Sequence, residues 1–477
     1  MKNKTNMLIY IVAMLTSFSG CNKEFDDYID IFSVSYPTEA STNPADSTYN
    51  PDDTSDAKGD TSGAKGDIHY QIPDIKTADD FQYTVYIDPD YNGGDSDGTI
   101  EKPYPDMNSQ YAKGVPSNTA FLFKRGTTHP RLGRHSSSGS ILWDMVYKNN
   151  LIGAYGEGKR PVIQGIQING ASHYVTIRDL EIAMPSQPGQ DIVVQLYAIP
   201  NIPTNIVIAY NIIRGVYTPN RSFAGSKPHP YPEMGIRGGG DGTIIYHNEI
   251  YDLGDNGVFG ASGRGQKVVK NYVYNINRKH WGRGLTPAQA EYTGGDPIMY
   301  QYTHCGLYIA GNYTDPARDY YDEYPNGNDY WKQSLIFKVA SNINPVIVEY
   351  NTAISQPVGT NSGAAVYFHA ELTTGLRFRY NFIAPSKGKI GRTPIASSGG
   401  SMPDHINRKF PDGLLYNHII RQNPNDTNQS VVSSNAEDIL DESNLVFDTW
   451  EDYNKFLLNN GPSGSDIDPD NFWESYK

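Results

Sequence analysis

The sequence predicts an all-β solenoid, because one short strand-forming phrase recurs along its central part. IVIAYNIIRG, TIIYHNEIYD and KVVKNYVYNI each place a β-branched residue three positions before an asparagine, with a further apolar residue after it. The alternating apolar residues are typical of short strands. Such a unit cannot bury its apolar face alone, so successive units are expected to stack. The repeats are marked by Asn211, Asn248, Asn271, Asn312, Asn351, Asn381 and Asn417, at separations of 37, 23, 41, 39, 30 and 36 residues.

The bend in each unit indicates the kind of solenoid. Six residues three positions before an asparagine are apolar and are predicted to point inward: Ile208, Ile245, Val268, Ile309, Val348 and Phe378. Asparagine tolerates left-handed backbone and can bond to its equivalent in the next coil, as amide ladders do. The pattern from His173 to Asn417 resembles the right-handed parallel β-helix of pectate-lyase-like proteins. The resemblance implies a fold, which we expect to be closed by N- and C-terminal caps, and no particular reaction.

The N-terminus carries a targeting signal. Lys2 and Lys4 precede a short apolar run, Met7–Leu15, and small residues then lead to Cys21. The run is too short to span a membrane. Residues 1–20 resemble a bacterial lipoprotein signal peptide, which implies lipidation of Cys21; an ordinary secretory peptide is the alternative. The acidic residues that follow resemble the export signal of Bacteroidetes lipoproteins, which implies a lipid anchor in the outer membrane and exposure at the cell surface.

Composition divides the rest of the chain. Residues 21–77 are rich in Asp, Ser, Thr and Pro without apolar periodicity, which predicts a flexible tether. Residues 78–430 are predicted to form the β-helix and residues 431–477 its C-terminal cap. A D-x-D-x-N-G phrase starting at Asp88 matches the beginning of a calcium loop, but Thr99 stands where such a loop needs glutamate. A glycine-rich turn is the main interpretation, and the need for a cofactor stays open, with calcium as the candidate.

Charge and cysteine content restrict the classes of partner. The net charge of −14 argues against binding to nucleic acid, although a local basic patch can still bind an acidic sugar. Only two cysteines are present, and if Cys21 carries lipid, Cys305 has no partner for a disulfide. Coil stacking must then stabilise the fold. We expect a monomer whose partner is an extracellular polysaccharide.

Strand alternation predicts two stripes of side chains outside the solenoid. The first stripe precedes the inward residues and contains Val207, Ile244, Lys267, Tyr308, Ile347 and Arg377. The second directly precedes the asparagines and contains Tyr210, His247, Lys270, Gly311, Tyr350 and Tyr380. Aromatic faces pack on sugar rings and cations pair with carboxylates or sulfates, so the stripes favour a groove for an extended polymer. The alternative is an ordinary strand surface, since tyrosine is common in strands.

Basic residues concentrate near the third copy of the repeat and predict a catalytic site. Lys267 is the candidate base, and crowding among arginines is expected to lower its pKa. Arg264 or Arg283 would neutralise a uronate carboxylate, while Tyr308 or His304 would return a proton to the leaving oxygen. We expect Arg264 to enter the strand of Lys267, and His304 to enter that of Tyr308. The predicted substrate-binding residues are Lys270, His247, Arg278, His280, Trp281, Arg377 and Tyr350.

This grouping resembles alginate-lyase-like and chondroitinase-B-like enzymes, which implies cleavage of a uronic acid polymer by β-elimination. The acidic calcium-ligand phrase of those enzymes is absent, and Asp255-Asn256-Gly257 is its nearest counterpart, so no metal ligand is assigned. A glycoside hydrolase is the first alternative, since it needs two carboxyl groups; the candidates are Glu233, Asp241, Asp252, Asp255, Glu323 and Glu371. A non-catalytic glycan-binding protein or adhesin is the second alternative.

Overall fold

The fold is taken from a computed structural model of the chain. The structure describes residues 74–111, 114–133, 146–185, 192–197, 202–218, 231–276, 296–316, 318–319, 335–338, 346–355, 366–368, 376–385, 395–397, 414–421 and 443–474. Two compact units can be distinguished within these residues. The first includes residues 454–462, and the second comprises residues 74–453 and 463–474.

The described strands form three parallel sheets. Sheet 1 contains β1 (Tyr83–Ile87), β2 (Thr119–Lys124), β4 (Lys148–Tyr155), β7 (His173–Arg178), β10 (Thr204–Ala209), β13 (Ile244–Tyr246), β16 (Lys267–Val269), β19 (Leu307–Ala310), β22 (Val346–Glu349), β25 (Leu376–Arg379) and β28 (Leu414–Leu415). Sheet 2 contains β3 (Thr128–His129), β5 (Val162–Ile163), β8 (Glu181–Pro185), β11 (Ile212–Val216), β14 (Glu249–Tyr251), β17 (Tyr272–Tyr274), β20 (Tyr313–Asp315), β23 (Thr352–Ser355), β26 (Phe382–Pro385), β29 (His418–Ile420) and β30 (Leu445–Phe447). Sheet 3 contains β6 (Ile166–Asn169), β9 (Ile192–Tyr197), β12 (Met234–Arg237), β15 (Val258–Arg264), β18 (Ile298–Cys305), β21 (Leu335–Lys338), β24 (Val366–Phe368) and β27 (Ile395–Ser397).

The order of these strands is that of a parallel β-helix. From β4 to β27 the chain visits sheet 1, sheet 2 and sheet 3 in turn, and each strand pairs in parallel with the equivalent strand of the next coil. In sheet 1, for example, Ile245 lies opposite Val268, which lies opposite Ile309. The predicted fold class is therefore confirmed.

Two short helices flank the solenoid. Helix α1 (Met107–Gln110) is capped by the Asp106 side chain, and its Met107 is buried in the same core as the first strands. Helix α2 (Trp450–Leu457) follows β30, and its Tyr453 ring stacks on Phe382 with centroids 4.6 Å apart. The remaining described helical turns are 3₁₀, at Ala78–Asp80 and Pro469–Asn471. No described helix is long and apolar enough to cross a membrane.

The core is one cluster of mainly aliphatic and some aromatic side chains inside the coils. The six residues that were predicted to point inward are at most 2 % exposed, which confirms the alternation within the strands. Burial of each such side chain stabilises the fold by about 1.5–3 kcal/mol.

The predicted asparagine ladder is present. Within it, each Asn Nδ2 donates to Oδ1 of the next asparagine over 2.8–3.1 Å, and that same Oδ1 accepts from the backbone N–H of the first. Nδ2 also donates to a core strand carbonyl, as from Asn271 to Ile245 at 2.9 Å. The ladder continues past Asn417 to Asn444, which sequence analysis did not include. Strand β30 follows at once, so the sheet extends into the segment predicted to be the cap.

The bend itself differs from the prediction in one respect. The residue before each asparagine, and not the asparagine, has left-handed backbone: φ is 58° at Tyr210, 49° at His247 and 54° at Lys270. Tyr350, Tyr380 and Tyr416 are the same, with φ of 54–55°. The asparagine side chain stabilises this bend from inside the coil, where it is fully buried. Large side chains therefore sit at a position that usually favours glycine.

The last residues of the predicted tether contact the folded body. Lys76 Nζ donates to Asn149 Oδ1 over 2.7 Å, and Arg178 Nη1 donates to the Lys76 carbonyl over 3.2 Å. Residues 75 and 76 of the predicted tether therefore contact the β-helix. The earlier part of the predicted tether, the predicted signal peptide and Cys21 lie outside the described residues.

Candidate functional site

The corner between sheets 1 and 2 is covered by the end of the chain itself. Residues 463–474, called here the C-terminal strap, run back along this corner from the coil of Asn381 towards the coil of Asn248. Gly464 N donates to the Tyr380 carbonyl over 2.9 Å, and Ser465 Oγ donates to the Gly311 carbonyl over 2.6 Å. The strap therefore bridges coils that lie far apart along the solenoid.

Two predicted substrate-binding residues lie beneath the strap. Lys270 Nζ forms an ion pair with Asp466 at 2.9 Å. The His247 ring stacks on Phe472 with centroids 4.5 Å apart, and only 6 % of His247 is exposed. Burial, and then the charge of Lys270, lower the pKa of His247 to about 4. The strap occupies the positions where a polymer was expected to contact these side chains.

Trp473, near the end of the strap, contacts residues of two different coils. Trp473 Nε1 donates to Glu249 Oε2 over 2.7 Å, and the Arg160 guanidinium lies 4.0 Å from the Trp473 ring centre. Phe472 packs in a cluster with Tyr272 and Tyr274 on the outside of sheet 2. His247, a member of the predicted aromatic stripe, thus belongs to an internal contact surface.

Tyr350 belongs to a stack of three tyrosines at the same corner. Its ring lies 5.0 Å from that of Tyr380 at an interplanar angle of 7°, and Tyr380 lies 5.2 Å from Tyr416 at 9°. Coil stacking imposes this face-to-face arrangement, since the three residues occupy the same position of successive coils. Their faces cover one another, so the stack offers a sugar mainly its edges. This arrangement does not support the predicted role of Tyr350 as a stacking platform.

Lys267 and Tyr308 lie side by side at the opposite corner, between sheets 3 and 1. They are direct partners in the pairing of β16 with β19, as predicted from the repeat. Arg264, however, ends β15 of sheet 3 and is separated from β16 by the turn Gly265-Gln266. His304 lies on β18, also in sheet 3, opposite Gly263. The expectation that Arg264 and His304 share strands with Lys267 and Tyr308 is wrong, because the chain turns a corner between them.

Tyr308 is buried, and the prediction that it reaches solvent is wrong. Only 6 % of the residue is exposed, and its hydroxyl donates to Glu349 Oε1 over 2.9 Å. Glu349 also accepts from Arg379 Nε over 2.9 Å and is itself 4 % exposed. The hydroxyl is held in a buried polar network, so we assign it no proton transfer.

Lys267 is half-buried, and burial lowers its pKa below the usual range for lysine. Arg264 lies 3.9 Å from Asp241 across Nε and Oδ2, at the outer limit of an ion pair. Asp241 accepts a closer bond from the Arg264 backbone N–H, at 2.9 Å. About half of the Asp241 side chain is exposed, so the pair contributes little, and the guanidinium can bind another carboxylate.

The other predicted site residues are placed only in part. His304 and Arg377 lie on strands β18 and β25, and their side chains are outside the description. Arg283, Arg278, His280 and Trp281 lie outside the described residues, as do Glu323 and Glu371. Their roles stay predictions.

The outer face of sheet 3 carries a cationic group that sequence analysis did not assign to the site. Arg237 is the exposed residue of β12, and its guanidinium lies 5.7 Å from the ring centre of Phe259 on the next coil. Phe259 is the second residue of β15, the strand that ends at Arg264, five residues later. At about 3.3 Å per residue, roughly 16 Å of strand separates the two positions. The alternation within β12 was the available signal, since Ile236 is apolar and Arg237 must face outward.

Carboxylates line the edge of sheet 3 where its strands begin. Asp255 N donates to the Glu233 carbonyl over 2.7 Å, which places these two residues side by side on adjacent coils. Both are half-buried. Asp296 follows on the next coil, and its backbone N–H donates to Asn256 Oδ1 over 3.1 Å. Of the other hydrolase candidates, Asp252 lies in the same connection between β14 and β15 as Asp255, and Asp241 lies in the turn between β12 and β13.

Within the described ranges, no group of three or more His, Cys, Asp and Glu residues is arranged to hold a metal ion. At the candidate calcium loop, Lys124 Nζ contacts Asp88 Oδ2 at 2.7 Å, and Asp88 Oδ1 accepts from Asp90 N at 3.0 Å. Both oxygens of Asp88 are thus used within the protein. The arrangement fits a turn closed by an ion pair better than a calcium loop.

The sequence matches no known family and no curated protein. Among solved structures, similarity is found to the GH136 lacto-N-biosidase of Eubacterium ramulus, at 12 % identity over 76 % of this chain and 68 % of that chain, with a TM-score of 0.40. A mannuronic acid-specific family 6 lyase from human gut microbiota gives 12 % identity, 80 % and 96 % coverage and a TM-score of 0.36. A rhamnogalacturonan lyase gives 13 % identity over 74 % of this chain and 87 % of that chain, with a TM-score of 0.35. Similarity at this level does not transfer an activity to this chain.

Proposed function

We propose that the protein is a cell-surface enzyme that cleaves a uronic acid polysaccharide by β-elimination at the corner between sheets 3 and 1. The observation that carries the proposal is Lys267, an outward-facing lysine that is half-buried and has a lowered pKa, one turn after Arg264. A lysine with a lowered pKa has a larger neutral fraction near neutral pH, which a base requires.

The reaction divides between these two residues. Arg264 pairs with the uronate carboxylate and withdraws charge from the neighbouring carbon, whose proton becomes more acidic. Neutral Lys267 takes that proton. The electron pair of the broken C–H bond forms a carbon–carbon double bond, and the bond to the glycosidic oxygen breaks. The leaving oxygen gains a proton, for which His304 stays the predicted donor, and the product is an unsaturated sugar.

Hydrolysis is the second candidate, because Glu233 and Asp255 lie on adjacent coils at the edge of sheet 3. Equivalent positions of neighbouring strands are about 4.8 Å apart. Two carboxyl groups about 5–5.5 Å apart are the arrangement of retaining glycosidases. In this reaction Lys267 would have no chemical role.

Location at the cell surface is part of the proposal. It is supported by the signal-like residues 1–20, by Cys21 as the lipid-bearing residue, and by the tether composition of residues 21–77. Incorporation of labelled palmitate into the full chain, absent from Cys21→Ala, tests the anchor. Equal labelling of both chains would rule it out.

The chemistry is tested by incubating the chain with sodium alginate, pectate and dextran. We expect ultraviolet-absorbing unsaturated ends from an acidic polymer, in step with new reducing ends, and none from dextran. Reducing ends without ultraviolet absorbance would identify a hydrolase instead. Binding without either signal would identify a non-catalytic glycan-binding protein.

A further inference from the structure

We infer that Arg237 and Phe259 form a separate anion-binding subsite on the outer face of sheet 3, which takes an acidic group of the polysaccharide away from the cleaved bond. The inference rests on the proposed substrate class and extends it to residues outside the Lys267 corner. The guanidinium of Arg237 is exposed, although its strand is regular and its neighbour Ile236 is buried.

The described residues do not use the N–H donors of the Arg237 guanidinium. Among these residues, Arg237 makes no ion pair or hydrogen bond, and its guanidinium contacts the Phe259 ring. Other arginines on outer faces are paired: Arg214 with Glu181 at 2.7 Å, and Arg379 with Glu349 at 2.9 Å. Arg237 therefore keeps its donors available to a ligand from solvent.

The contact with Phe259 preorganises the Arg237 guanidinium. The Phe259 ring is fixed by β15, and a guanidinium held over a ring loses less freedom when it binds. A planar guanidinium presents paired N–H donors that match the two oxygens of a carboxylate or sulfate. The pair thus combines a cation for the acidic group with an apolar surface for the sugar ring.

The position of Arg237 in sheet 3 also supports the subsite. Gln195 lies directly opposite Arg237 on the preceding coil and is partly exposed, so a polar side chain extends the subsite. In the other direction, β15 carries Phe259 near its start and Arg264 at its end. The two positions are thus separated by roughly 16 Å of strand. This spacing predicts that a short fragment cannot occupy both positions.

The test compares Arg237→Gln with Arg214→Gln, a matched change of an arginine that is already paired on sheet 2. Affinity electrophoresis of the full chain in gels containing sodium alginate, a sulfated galactan or dextran gives a Kd for each polymer. A charged hydrogen bond contributes enough to predict a roughly 10- to 100-fold weaker Kd for Arg237→Gln on an acidic polymer. Arg214→Gln should change it less than about 2-fold.

Loss on alginate alone assigns the subsite to carboxylates, and loss on both acidic polymers assigns it to anionic sugars in general. Phe259→Leu should weaken binding in the same direction by a smaller factor. Equal Kd values for the two arginine variants, or failure of the unmodified chain to bind either acidic polymer, would overturn the subsite. Binding that depends on Arg237 without unsaturated product would refute the lyase and leave the subsite intact.

Discussion

Lys267 and Lys270 lie three residues apart on one coil and belong to two different corners of the solenoid. Lys270, at the asparagine corner, forms an ion pair with Asp466 of the C-terminal strap. Lys267, at the corner between sheets 3 and 1, lies near an arginine whose own carboxylate partner is loosely held. The comparison teaches that a basic residue of one coil can serve an internal contact at one corner, while another acquires a pKa lowered by burial at the next corner.

The largest loss of stability at the asparagine corner is expected when one asparagine of the ladder is removed. Asn271→Ala loses bonds from Nδ2 to Asn312 and Ile245, and leaves donors of Asn248 without their acceptor. Each buried polar group left without a partner costs about 1–3 kcal/mol. We expect a loss of about 3–5 kcal/mol in the free energy of unfolding, measured by denaturant titration. Asn92→Ala, at an exposed position, is the control and should change it by less than about 0.5 kcal/mol.

Weakening the strap tests whether stability and turnover depend on different corners. Phe472→Ala removes a ring that is 5 % exposed and stacked on His247. A truncation of this kind costs about 3–5 kcal/mol in a core and less at an edge, so we expect a loss of about 2–3 kcal/mol. Hydrogen exchange should increase in residues 463–474, while turnover on acidic polysaccharide stays unchanged. Lost turnover in a folded protein would place the active site under the strap.

Acidification should weaken the covered corner. The pKa of His247 is about 4 in the folded protein and about 6.5 in an unfolded chain. As the pH falls below about 6.5, the unfolded state takes up a proton that the folded state does not, so stability falls. Between pH 6.5 and 5 this one residue accounts for about 1.6 kcal/mol. His247→Asn should flatten that part of the stability profile; an unchanged slope would show that His247 is not the group responsible.

Tyr308→Phe is expected to give the smallest effect and tests a buried residue at the corner between sheets 3 and 1. It keeps the ring and removes the hydroxyl that donates to Glu349. We expect a loss of about 1–2 kcal/mol in stability and turnover within about 2-fold of the parent. A loss of turnover by about 100-fold at intact stability would restore Tyr308 as a proton donor.

The sequence was sufficient for the coil but not for what covers it. Strand alternation and the repeated asparagine predicted the inward residues, the ladder and the pairing of Lys267 with Tyr308, because these depend on local period. The strap could not be predicted, since Asp466 meets Lys270 across 196 positions of sequence. The same applies to Tyr308: its burial depends on Glu349 and Arg379, on later coils. Arg237 was visible as an outward residue of a strand, but nothing in the repeat showed that no described residue pairs with its guanidinium.

The central claim is that catalysis occurs at the corner between sheets 3 and 1, and the two lysines test it most directly. Lys267→Ala and Lys270→Ala are to be assayed side by side for unsaturated product on the same acidic polysaccharide, after circular dichroism has shown that both are folded. Loss of a general base predicts a decrease in kcat of about 10²–10⁴ for Lys267→Ala. Lys270→Ala should keep its kcat and lose only the stability that its contact with the strap provides. Full turnover in folded Lys267→Ala, or an equal decrease in both variants, would contradict the account.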